Sequence, residues 1–102
     1  MPEFHFIIVM YMDITIAQEV ISYLKTNFDS HDFIRMLLEK HPEEYGEILV
    51  KHGRNGGSVA TADGEISKYL ADHSTELSIT RTGNALSGNI LGHFTECATW
   101  SK

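Results

Sequence analysis

The spacing of apolar residues changes once along this chain, and that change limits the folds open to it. From Ile14 to Leu70 apolar residues recur at three and four, the period of one helix face. After His73 the pattern shifts: "ELSITR" alternates apolar and polar at Leu77 and Ile79, with the Thr and Ile that favour strands. A long helical part followed by a shorter, different one is therefore expected.

The helical part divides cleanly. Ile14, Ala17, Val20, Ile21, Leu24 and Phe28 predict a first helix from about Thr15 to Asn27. Thr15 and Gln18 have the spacing of a capping box. "NFDS" breaks the pattern, and Ser30 is a candidate N-cap for a second helix, His31 to Lys40, burying Phe33, Ile34, Leu37 and Leu38. Pro42 has no N–H and keeps His41 out of the helical region, so it reads as the first residue of a third helix ending near His52. Glu43 and Glu44 then sit at its positive end, Lys51 and His52 at its negative end, and Gly53 closes it. "GRNGGS" lacks the lysine and hydroxyl of a phosphate loop and reads as a solvent loop. A fourth helix is expected over roughly Ala62 to His73, with Ile66, Tyr69 and Leu70 inward.

Residues 82–91 accept two readings. As a helix, Thr82 caps, Leu86 and Ile90 stack with Leu91 beside them, and Gly92 terminates; Gly88 then costs about 1 kcal/mol relative to alanine. As a hairpin, strands near 77–82 and 90–97 flank a Gly- and Asn-rich connection in which Gly83 and Gly88 are assets. The poor alternation of "ILGHFTEC" tips the balance toward the helix. The expected fold is mainly α, all-α but for a short β-hairpin if the second reading holds. It is a four- to five-helix bundle with a single helical domain over residues 12–102.

Residues 1–11 form an N-terminal extension or a short strand. The apolar run Phe4–Met12 is too short to span a bilayer and has no basic leader before it, so neither a membrane span nor a secretory signal is expected. Met12 is an alternative start. With Cys97 as the only cysteine, no intramolecular disulfide can form, and a cytoplasmic setting is expected.

Net charge is −6, but the acids are not evenly spread. Residues 1–50 carry nine acids against three bases, residues 51–102 five of each, and no acid lies between Leu77 and Thr95. The acidity thus belongs to the N-terminal helices. That leaves the C-terminal part open to a nucleic acid, without the basic stripe that usually accompanies one.

Residues 60–100 resemble the helix-turn-helix and winged-helix DNA-binding superfamily. "EISKYL" is similar to the first helix of such a motif, and "ITRTGNALSGNILG" looks like a recognition helix with its close. The resemblance implies a small DNA-binding module that docks residues 79–93 on duplex DNA, with Arg81, Thr82, Asn84, Ser87 and Asn89 facing base edges. Arginine pairs with guanine and asparagine with adenine through two hydrogen bonds each. Arg54 and Lys68 are the candidate phosphate contacts. With so few cations, such a module would work as a homodimer or within a larger assembly. The alternative is an acidic protein-interaction or self-association module with no nucleic acid. It would use the acidic N-terminal helices as a charged face and residues 4–12 as an apolar one.

Other constellations are weaker. His93 and Cys97 have metal-compatible spacing, but no second pair completes a site. Cys97 has no helix N-terminus or basic cluster to activate it, and Glu43, Glu44 and Glu47 read as a solvated helix face. Trp100 is expected to cover the edge of the core. No enzyme, metal or cofactor is expected.

Overall fold

The computed structural model describes residues 11–52 and 59–102. Its element order is α1 (Ile14–Ser22), β1 (Asn27–Asp29), α2 (Ser30–Lys40), α3 (Pro42–His52), α4 (Val59–Asp72), β2 (Thr80–Gly88) and β3 (Phe94–Ser101). The three strands form one antiparallel sheet in the order β1-β3-β2. The fold is therefore mixed α/β. This corrects the expectation of a mainly α, all-α bundle, and of a purely helical domain over 12–102. The Phe4–Met10 run and "GRNGGS" with Arg54 lie outside the described residues.

The first helix differs from its expected bounds at both ends. Asp13 caps it, accepting from the backbone N–H of Thr15 at 2.9 Å and from its hydroxyl at 2.6 Å. A carboxylate next to the positive helix end outcompetes the expected Thr15–Gln18 box, and the same hydrogen bonds lower the Asp13 pKa. The helix stops at Ser22 because Asn27, Phe28 and Asp29 are taken by β3, opposite Ser101, Trp100 and Thr99. Asp29 then caps α2 through a reciprocal box: Asp32 N–H donates to Asp29 at 2.8 Å, and Asp29 N–H to Asp32 at 3.0 Å. The helix starting at Pro42 has its expected bounds.

The core lies between the helices and the base of the sheet. Phe28 and Trp100 face each other across β1 and β3, packed with Phe33, Ile34 and Leu37 of α2 and Ile66 and Leu70 of α4. Trp100 is 2% exposed, a core residue rather than an edge cover, and its indole N–H donates to Ser30 Oγ at 3.1 Å. Met12 is buried too, and its carbonyl accepts from the Tyr69 hydroxyl at 2.7 Å, with burial foremost in pushing the Tyr69 pKa up to about 12. No helix among the described residues is long and apolar enough to cross a membrane.

Residues 80–101 are a hairpin, which corrects the helical reading of 82–91. The reason is local chemistry combined with a distant partner. Asn89 organises the turn: its side-chain oxygen accepts from Leu91 N–H at 2.9 Å and His93 N–H at 3.0 Å, and its backbone N–H donates to the His93 carbonyl at 2.8 Å. Gly92 takes φ +80°, a region other residues seldom enter, and Gly83 takes φ +153° where the β2 register slips between Arg81 and Gly83. With the chain turned back, β3 reaches β1 and completes the sheet.

Candidate functional site

Beyond Gly83 the hairpin runs past the reach of β1. Strand β1 pairs only with Thr99–Ser101, so residues 83–88 and 94–98 are a two-stranded ribbon. Residues opposite each other share a face. Ser87 opposes Thr95 and Ala85 opposes Cys97; Asn84 opposes Ala98, Leu86 opposes Glu96 and Gly88 opposes Phe94.

His31, buried at the start of α2, holds the first of these faces. Its Nδ1 lies 2.6 Å from Ser87 Oγ and its Nε2 3.2 Å from Thr95 Oγ1. Ser87 Oγ also lies 3.5 Å from Cys97 Sγ. One imidazole thus spans a cross-strand pair of hydroxyls, each able to donate or accept as the ring requires. Arg35 of α2 adds a second tie, donating to the Gly88 carbonyl. Asp29, His31 and Cys97 bring ligand-type atoms within 4.8 Å of one another. Each already has a protein partner: both ring nitrogens of His31 face hydroxyls, Asp29 caps α2, and Cys97 meets Ser87.

Next to His31 a groove of about 550 Å³ separates α4 from the hairpin. Its helical wall is small: Ala60, Gly64, Ser67 and Ala71 share one side with Lys68. Opposite stand Arg81, Asn84 and Glu96. Arg81 donates to Asn84, and the Asn84 amide donates to Glu96 at 2.8 Å. At the inner end, Asp63 is buried and accepts from the Tyr45 hydroxyl at 3.0 Å. Burial raises its pKa; the Tyr45 bond and the nearby His31 offset only part of this. Burial, then the Asp63 charge, pushes the Tyr45 hydroxyl well above its ordinary value.

The residues singled out for DNA separate into distinct environments. Lys68, Arg81, Asn84 and Asn89 line the groove, but Asn89 spends its side-chain oxygen on the turn, and Arg81 and Asn84 are bonded in series to Glu96. Ser87 belongs to the His31 clamp, and Thr82 pairs with Thr99 Oγ1 at 2.8 Å, lining a separate cleft beside β1. Arg54 is outside the described residues. Sequence reasoning missed His31, Asp63, Thr95 and Glu96. They meet residues up to 64 positions away, and no short spacing signals such contacts.

Further out on the face of Asn84 and Glu96, past the groove, Leu86 is 74% exposed and Phe94, its diagonal neighbour, 78% exposed, and Leu91 near the turn is exposed as well. No family model, curated protein or solved structure matches the chain.

Proposed function

We propose that the protein is an interaction module that binds protein rather than nucleic acid, through the exposed Leu86 and Phe94 of the β2–β3 hairpin. The supporting observation is the pair Leu86 and Phe94. Two large apolar side chains stand side by side, more than 70% exposed, on a ribbon that runs past the reach of β1. Scattered surface apolar residues are ordinary, but a cluster at the end of such a ribbon matches a docking site. The charge around it suits a protein partner better than a duplex. Lys68 and Arg81 are balanced at the groove by Glu96 and Asp63, and the chain carries −6 overall. Phosphate binding draws most of its strength from unopposed cations.

The test is chemical crosslinking and affinity capture with the wild-type protein and the Leu86→Ser/Phe94→Ser variant. Wild-type protein is expected to crosslink to a partner chain, itself included, and the variant to lose that product. Identical products from both proteins would remove the proposal.

Duplex DNA is the second partner class, favoured by one observation. The strand after α1 pairs with the return strand of a hairpin that follows a helix, the element order expected if α4 were the groove-reading helix and β2–β3 the wing. A gel shift on random duplex at low salt, repeated with Arg81→Ala and Asn84→Ala, decides it. Absence of a shift with the wild-type protein would dismiss DNA.

A further inference from the structure

We infer that Asp29, His31 and Cys97 form a binding site for a divalent transition-metal ion of the zinc class. The site stands apart from the docking reading above and uses neither Leu86 nor Phe94.

Three observations carry it. First, the donor atoms are already together. A carboxylate oxygen, a ring nitrogen and a thiol sulfur lie within 4.8 Å of one another, brought in from the end of β1, the start of α2 and the middle of β3. Ligand atoms around a tetrahedral zinc ion lie about 3.3–3.8 Å apart, so the set closes on an ion with shifts of about 1 Å. Second, each ligand is held in place. Asp29 caps α2 through Oδ1 and has a second oxygen to give. His31 meets Ser87 Oγ through Nδ1 at 2.6 Å and Thr95 Oγ1 through Nε2 at 3.2 Å. When one ring nitrogen takes the ion, the other keeps its hydroxyl, the kind of outer tie that orients a metal-bound histidine. Ser87 Oγ also lies 3.5 Å from Cys97 Sγ, so one hydroxyl touches two of the ligands. A hydroxyl rotates to suit its neighbours and can yield to an ion. Third, the donor set is selective. Sulfur and imidazole nitrogen suit zinc-class ions, whereas magnesium and calcium take oxygen ligands. The carboxylate and the thiolate bring two negative charges that a divalent ion neutralises, and the thiol proton passes to solvent on binding.

The fold also replaces the partner that spacing suggested for Cys97. His93 is four residues away, which along an extended strand is about 13 Å, too far for one ion to span. His31 comes to the thiol from α2 instead. His31 and Cys97 both line the groove of about 550 Å³, which gives an ion a path from solvent. Three protein ligands leave a fourth position for water or for a molecule held in that groove. Because the ligands belong to three elements, the bound ion ties β3 to β1 and α2 and stabilises the folded chain.

The experiment is a titration of chelator-treated protein with Co²⁺ and then Zn²⁺, alongside thermal melts. The wild-type protein is expected to bind Co²⁺ with a thiolate-to-cobalt charge-transfer band in the near ultraviolet, and Zn²⁺ to abolish that band. With Zn²⁺ at a hundredfold excess over Kd, the melting temperature is expected to rise by at least about 5 °C. Cys97→Ser is expected to lose the band. Asp29→Asn keeps an oxygen to cap α2 and is expected to lose at least tenfold in affinity, as is His31→Gln. Melts in chelator report that each variant is folded. His93→Ala is expected to bind as the wild-type protein does. A wild-type protein with no charge-transfer band overturns the inference. So does a band that Asp29→Asn leaves at full affinity, the mark of a thiol binding cobalt by itself, or one that His93→Ala removes.

Discussion

His31 joins two parts of the chain that share no local signal. Its ring, on a residue that is 6% exposed, bonds Ser87 and Thr95, holding both strands of the hairpin to α2 from a single side chain alongside the Arg35 and Ser30 ties. Truncation to alanine removes two hydrogen bonds and leaves a cavity. His31→Ala is expected to cost about 2–4 kcal/mol, read by urea denaturation, with the hairpin resonances the first to shift in an NMR spectrum. Asp63 behaves differently. Its pKa in the folded protein lies above its unfolded value, so the folded state binds the proton more tightly. The contribution is fully present below the unfolded pKa and is lost as pH rises through the folded one. Asp63→Asn keeps an oxygen for the Tyr45 hydroxyl but cannot ionise. Relative to the wild-type protein, its stability is expected to improve as pH increases from the acid side toward neutrality, measured as denaturation midpoints at several pH values. A constant difference across that range would count against the buried, raised carboxyl.

At the scale of elements, the turn at Asn89–His93 decides the architecture of the C-terminal part. "NILGH" offers helix-compatible Leu and Ile, but Asn89 binds two backbone N–H groups and Gly92 takes positive φ, both of which favour reversal. A Cβ at Gly92 meets nothing within 4 Å, so the cost of substitution there is backbone strain alone. Gly92→Val is expected to lose about 1–2 kcal/mol, seen in thermal melts, while Gly92→Asn, which tolerates that conformation, loses less. The helices were more legible. Pro42 marks the start of α3, and apolar spacing marks the inward faces of α2 and α4, except that Leu38, expected buried, is exposed; those signals act within a turn or two. β1 was not legible as a strand: three residues carry no period, and only pairing with Thr99–Ser101 makes them one.

For the whole molecule, the sheet is built into the core at its base, and beyond the reach of β1 it is held to α2 through His31 and Arg35. Its base contributes Phe28 and Trp100 to the core, with Ile79 buried just before β2, whereas Thr80–Asn84 and Leu86 on the outer strand are exposed. Opening should therefore be graded. At concentrations where the protein is monomeric, amides of residues 84–88 and 94–97 are expected to exchange faster than those of Phe33–Leu37 and Ile66–Leu70, by at least tenfold. Equal protection along the hairpin at low concentration would show that the ribbon is held more firmly than its contacts suggest.

The sequence by itself determined the four helices before His73, most of their inward faces, the break at Pro42 and the separation of an acidic N-terminal half from the acid-free segment 77–95. Each of these follows from residues within a few positions of one another, where backbone sterics, helix period and charge act directly. Only the tertiary structure decided that residues 82–91 turn back as a strand, that "NFD" joins them in one sheet, and that Arg81 and Asn84 are bonded toward Glu96. Those outcomes depend on pairing across up to 74 positions and on burial that no local pattern records. The physical reason is that a strand is stabilised by its neighbour in the sheet, whereas a helix carries most of its hydrogen bonds within itself.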